Sequence, residues 1–291
     1  RRVEEAETVY YAYITDAGAR LVGVVGLRDM ALAPQSTPIS QVLKRDIVSV
    51  LVTEDAEDVA RLFDKYSFVA LPVIEDDGRL LGIITVDDVI DVIREEATED
   101  IYGLAAVPRE ESVDTSWRSS FGMRLPWMYV RLATGLAAAI VVGLFEDMVA
   151  KVAALAVLMG VVAGQGGSAG MQTVTIMTRG IALGDLGRSK GLRLLGKEAL
   201  LGMANGLIIG LTVGLITYIW KGDLLLGVAM LGAMTLTMTV AGAAGALIPL
   251  LVRALGRDPA LASGIFLTTI TDVFGYAVLF ILAWLLLPEF G

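Results

Sequence analysis

The chain has 291 residues, 55% of them hydrophobic, with 23 Lys/Arg against 32 Asp/Glu and neither cysteine nor histidine. Those absences exclude disulfides, thiolate chemistry, histidine-bearing zinc sites and His-dependent catalytic triads. The net charge of −9 is unevenly placed, with 21 Asp/Glu against 10 Lys/Arg in residues 1–100, so an acidic front adjoins a near-neutral, oily back and nucleic acid is not expected as a partner.

The chain opens on "RRVEEAETVY", which lacks the apolar core of a signal peptide and reads as the start of a fragment. The stretch "ARLVGVVGLRD" (19–29) then recurs as "GRLLGIITVDD" (78–88), an offset of 59 residues. Each copy reads as a turn, a strand and a helix start. Between them, "SVLVTEDAEDVARLFDKYSFVALPVIEDDG" reads as a strand, a helix over 55–66 and a second strand. This β-α-β-β-α order resembles the CBS domain, and "ALPVIEDDGRLLGIITVDDVIDVI" follows that family's pattern almost throughout. The expected organisation is a partial first CBS domain over 1–40 and a second over 41–97. The resemblance implies a pair that binds nucleotides or ions and regulates whatever is attached to it.

Over 85–100, Val86, Val89, Ile90, Ile93 and Ala97 recur at helical spacing and form one apolar stripe. Asp88, Asp91, Glu95 and Glu99 fall on another face, with Asp55, Glu57, Glu96 and Asp100 available to join them. Two readings stand: a solvated acidic surface, or a site for a divalent cation, since Mg²⁺ and Ca²⁺ prefer carboxylate oxygens. Residues 98–124 are read as a connecting, plug-like helix and linker.

From 125 onward the composition changes. Segments 125–145, 152–178, 199–220, 224–252 and 259–287 are long enough to cross a bilayer as helices. The expected fold class is therefore an α/β CBS pair, its first copy truncated, followed by an all-α membrane domain of five helices over 125–291. Arg131 is placed near one end of the first span, where its side chain can snorkel to the interface. The loops carrying Arg118, Arg124, Arg179, Arg188, Lys190, Arg193, Lys197, Arg253 and Arg257 are far more basic than "FEDMVAK" and "WKGD". The positive-inside rule then puts the acidic front in the cytoplasm and the C-terminus, with Pro288 and Glu289, outside. Two stretches rich in small residues, 164–172 and 241–249, permit close helix approach. The first, with Gln165, Ser168 and Gln172, is read as lining a cavity and the second as tight packing.

The last span, "GIFLTTITDVFGYAVLFILAW" (264–284), holds Asp272 near its middle. A carboxylate at that depth costs about 2.5–3.5 kcal/mol on insertion scales. Either it is a structural group, salt-bridged or protonated, or it lines a cation path. The sequence offers no Lys or Arg at mid-depth in another span as a structural partner, so the cation path is preferred. The whole arrangement resembles the MgtE family of magnesium transporters and channels. The residues that carry the likeness are "EATEDI" (96–101), "GGSAGMQ" (166–172), "DPAL" (258–261) and "TDVFGY" (271–276).

That resemblance implies a non-enzymatic, homodimeric, Mg²⁺-selective pore in the cell membrane, surrounded by lipid and lined by the second and fifth helices. It implies ion contacts at Asp272, Thr268, Gly264, Gly167 and Ser168. It further implies regulatory Mg²⁺ at Asp55, Glu57, Asp88, Asp91, Glu96, Glu99, Asp100 and Asp258, with ATP bound by the CBS pair at residues the sequence does not fix. The family's N-terminal helical domain is absent from the chain. The family motif G-G-N-x-G-N-Q departs here at Ser168 and Met171, so another principal ion (Mn²⁺, Co²⁺ or Ca²⁺) is an alternative, as is a CBS-regulated membrane protein that does not transport.

Overall fold

The computed structural model describes residues 10–184, 186 and 191–288. The opening residues 1–9, Arg188 and Lys190 of the basic loop, and Glu289 lie outside the described residues, as does the side chain of Leu261 in the Asp-Pro-Ala-Leu motif. The chain divides into two compact units, Arg1–Ala97 and Thr98–Gly291.

In the first unit, β1 (Tyr11–Thr15) and β2 (Leu21–Gly26) pair antiparallel and lead into short helices α1 (Leu27–Leu32) and α2 (Ile39–Val42). The second repeat supplies β3 (Val50–Leu51), α3 (Ala56–Tyr66), β4 (Ala70–Ile74) and β5 (Leu80–Thr85), after which α4 (Val86–Leu104) begins. β4 lies between β3, to which it is parallel, and β5, to which it is antiparallel. Asp55 caps α3 by accepting from the Glu57 N–H at 2.9 Å, and Val59, Ala60 and Phe63 turn the helix's apolar face onto Val50, Leu71 and Val89. The two repeats meet at equivalent places. Arg20 bridges Arg79, while the Leu21 N–H donates to the Gly78 carbonyl and the Leu80 N–H donates to that of Ala19. These two hydrogen bonds exchange under the 59-residue offset, so the repeat in the sequence is a pseudo-two-fold in the fold. Gly78 and Ala19 occupy the matching turn with left-handed φ of 84° and 62°; only the glycine does so without strain.

The second unit is helical: α5 (Trp117–Leu144), α6 (Glu146–Lys151), α7 (Ala154–Ala182), α8 (Gly191–Lys221), α9 (Leu224–Ala254) and α10 (Pro259–Leu286). Among the described residues, α5 and α7 to α10 are each long and apolar enough to cross a membrane. α9 is central, packing against α7, α8 and α10, and α5 packs against α10. Leu155, Leu158, Val162, Met230, Met234 and Phe280 fill the middle of the bundle. Helices α5 and α8 start at Trp117 and Gly191, earlier than the sequence expectation of 125 and 199. Hydropathy marks the part of a helix that meets acyl chains, whereas the helix itself continues through its charged, water-facing turns.

The tightest packing is between α8 and α9. Gly202, Gly206, Gly210 and Gly214 are all buried and recur every fourth residue along one face of α8. A Cβ at Gly206 would stand 2.7 Å from Thr235 Cα, and one at Gly214 would stand 2.6 Å from the Gly227 carbonyl oxygen. The two backbones are therefore in direct contact, as small-residue repeats allow in membranes. The stretch 241–249 is likewise packing: Gly242 lies against the Glu198 backbone, and Gly245 against the Gly170 carbonyl. Gly206→Ala should destabilise the bundle by about 1–3 kcal/mol through overpacking. Gly196→Ala, at a position with nothing within 4 Å of the new Cβ, should be neutral or slightly stabilising. Thermal unfolding of the purified protein in detergent measures both.

Candidate functional site

A side-open groove of about 750 Å³ runs between α7 and α10. Its α7 wall includes Gly164, Gly167, Ser168, Met171, Gln172 and Thr175, and its α10 wall is Thr268 and Asp272. The α7 residues recur every three or four positions, so they share one face. The opposite face (Val162, Gly166, Gly170, Val174, Met177) is buried in the bundle. Helix α7 stays unbroken through 164–172. Its small residues thus do two jobs: Gly166 and Gly170 allow close packing, while Gly164 and Gly167 leave room in the groove.

Four of the five expected ion contacts, Asp272, Thr268, Gly167 and Ser168, meet on this groove. Gly264 does not line it. It is buried two turns from Asp272, and a Cβ there would meet the Leu104 carbonyl oxygen at 3.1 Å and Met171 Cε at 3.2 Å. Leu104, the last residue of α4, packs with Val174, Ile248 and Leu267 at this end.

The polar groups of the groove are arranged as acceptors. The Ser168 hydroxyl donates to the Gly164 carbonyl at 2.9 Å and the Thr268 hydroxyl to the Gly264 carbonyl at 2.8 Å; Thr175 does the same to Met171. With each O–H committed to its own helix, what remains for the groove is lone pairs. An ionised Asp272 is acceptor-only as well. These oxygens suit the water hydrogens of a hydrated cation, and the Gln172 amide, also on the lining, can both donate and accept.

Arg131 is the fifteenth of the 28 residues of α5, and α5 packs against α10, the helix that carries Asp272.

The acidic positions of the front half and linker are each engaged locally. Asp55 and Asp258 are N-caps, the latter accepting from the Ala260 N–H at 2.8 Å. Asp88 accepts from both the N–H and the hydroxyl of Thr85 at the start of α4, the reciprocal half of a capping box. Those bonds hold its carboxyl below the usual carboxylate range. Glu57 lies 3.5 Å from Arg61, Asp91 3.7 Å from Arg94 and Glu99 2.8 Å from Arg109. Glu96 and Asp100 lie on α4 and each makes a further interaction. No three acidic side chains converge as a metal cage among the described residues.

Two carboxylates escaped the sequence reading. Glu198 falls just outside the expected 199–220 span, but α8 begins two turns before it. Its side chain is buried, accepts from the Thr173 hydroxyl at 3.1 Å and lies 3.2 Å from Lys197 Nζ. It ties α8 to the helix that walls the groove. Glu111, buried in the linker, receives Arg124 Nε on both oxygens at 2.8 and 2.9 Å. The only signal in the sequence is the acidic pair Glu110–Glu111 ahead of an arginine-bearing helix.

The family model described as "Divalent cation transporter", MgtE, matches residues 159–282, and that of the CBS domain matches 39–95. The matched segment runs from α7 to the last turns of α10 and so contains the whole groove. Over this segment the chain is similar to the MgtE family. It is 39% identical to "Magnesium transporter MgtE" of Enterococcus faecalis, over 99% of this chain and 64% of that protein. It is 37% identical to the protein of the same description from Thermus thermophilus, again over 99% of this chain and 64% of the relative. The chain thus spans 64% of the length of these relatives. A solved structure described as the cytosolic domain of the Mg²⁺ channel MgtE in complex with ATP aligns at 46% identity, covering 31% of this chain and 36% of that one with a TM-score of 0.30. Within the MgtE domain, Ser168 and Met171 are both groove residues, so the departures from the family motif fall on the site itself.

The linker lock has a pH signature. Hydrogen bonding to Arg124 holds the Glu111 carboxyl below its ordinary value. A depressed carboxylate contributes stability above its unfolded pKa of about 4.3, and the contribution is lost as pH falls through the lower folded value. Glu111→Gln should therefore lower the thermal midpoint at pH 7 and leave a smaller further loss between pH 5 and pH 3 than in the parent protein. Melts across that range measure it.

Proposed function

We propose that the chain forms a homodimeric magnesium pore in the cell membrane, with the Asp272 groove of each copy facing the two-fold axis. The observation that carries the reading is the gathering of Asp272, Thr268, Ser168 and Gly167 on one acceptor-lined groove of about 750 Å³. Mg²⁺ sheds its waters reluctantly. A groove of this width takes it hydrated, with the carboxylates attracting charge while Ser168 and Thr268 oxygens accept from its water shell. High charge density, rather than a close-fitting cage, then favours a divalent ion. Entry runs down the electrochemical gradient, and the membrane potential contributes about 2.3 kcal/mol per charge per 100 mV. The basic loops set the CBS unit in the cytoplasm and the end of α10 outside.

Regulation follows from linkage. Cytosolic Mg²⁺ bound by the acidic set of α4 and the CBS unit favours the closed arrangement, and its loss lets like charges separate the two copies. Leu104, packed at the end of the groove's helices, supports the end of α4 as the closing element. ATP at the CBS pair is the corresponding proposal for nucleotide, carried by the CBS resemblance alone.

Two measurements test this. Asp272→Asn should reduce Mg²⁺ uptake into proteoliposomes at least tenfold while the protein still elutes as a dimer; unchanged uptake would reject the pore. Neutralising Asp91, Glu99 and Asp100 together should leave uptake insensitive to internal Mg²⁺ at concentrations that close the parent protein, and retained closure would remove these residues from regulation.

A further inference from the structure

Arg131 and Asp272 occupy matching places in two helices that pack together. Arg131 is the fifteenth of 28 residues in α5, and Asp272 is the fourteenth of 28 in α10. Spans alternate in direction, so the first and the fifth run the same way, and each position lies near the midpoint of its helix. Helices α5 and α10 are in contact. An arginine at mid-span is expensive unless a carboxylate or water meets it, and within the described residues the field of Arg131 reaches Asp272. The two are not a closed ion pair: no nitrogen–oxygen approach within 4.0 Å joins them. Nor does Arg131 line the groove. Asp272 thus has open space on its α7 side and a guanidinium acting on it from the α5 side.

We propose that Arg131 is a fixed counter-charge that weakens the Asp272 site so that a bound divalent cation can leave. This rests on the pore reading given above. A conducting site must bind well enough to admit the ion and loosely enough to release it. A lone carboxylate pair at mid-membrane, where the dielectric is low, holds a divalent ion too tightly for rapid turnover. A guanidinium beside the path lowers the site's effective negative charge without entering it. Its repulsion scales with the charge of the cargo, so a divalent ion is loosened more than a monovalent one.

The test is a charge series at one position, read as Mg²⁺ uptake by the full chain in proteoliposomes. Arg131→Gln and Arg131→Met, alike in charge and different in shape and polarity, should each lower the half-saturating Mg²⁺ concentration about tenfold and reduce maximal uptake. Arg131→Lys should keep both quantities within about threefold of the parent. Half-saturation unchanged in both neutral variants would overturn the proposal, as would a lysine variant that behaves like them, which would mark a packing role. Asp272→Asn in parallel separates the two levels. If it spares uptake, the pore reading itself fails; if it abolishes uptake while the neutral Arg131 variants match the parent, only the Arg131 inference fails.

Discussion

A carboxylate at the middle of a membrane helix is the constraint around which the transmembrane unit is organised. Asp272 loses hydration wherever acyl chains or apolar side chains surround it, at a cost of about 2.5–3.5 kcal/mol on insertion scales. The structure meets that cost by placement. One side of Asp272 opens on a groove large enough for water, and another lies under the charge of Arg131. Neither neighbour meets it in a direct ion pair, which is the arrangement the proposed cation path needs.

The rest of the bundle serves to keep that groove from collapsing. Helices α8 and α9 are fused backbone to backbone by the four-residue glycine spacing of α8, and α9 in turn supports α7 and α10. Gly166 and Gly170 bring α7 onto this scaffold, with Cβ positions that would strike Thr237 and Leu267. The face of α7 left over is the one bearing Gly164, Gly167 and Ser168. Small residues on both faces of one helix therefore have opposite effects: inside they close space, and at the groove they leave it. The Glu198–Thr173 bond adds a polar tie between α7 and α8 near the charged end of the bundle.

Much of this was legible in the sequence because the signals are periodic or chemically costly. The 59-residue repeat announces the paired α/β halves, the apolar runs announce five candidate spans, and an aspartate in oil points to the candidate site. What could not be read was depth and packing. The apolar stretch begins at 125, whereas the helix that carries Arg131 begins at Trp117. Glu198 looked like a boundary marker for the same reason. Gly264, which the family resemblance implies on the ion path, is packed against Leu104 and Met171 and does not line the groove. The acidic residues of the front half read as a cluster, but side-chain bonds to Thr85, Arg94 and Arg109 take up several of them locally. A count of like charges carries no information about such partners.

The most direct measurement of the central claim is cryo-electron microscopy of the protein in lipid nanodiscs, with and without saturating Mg²⁺. The account predicts two copies related by a two-fold axis, with Mg²⁺-dependent density one water layer from the paired Asp272 carboxylates. Asp272 turned toward lipid, or grooves that face away from each other with no shared conduit, would contradict it.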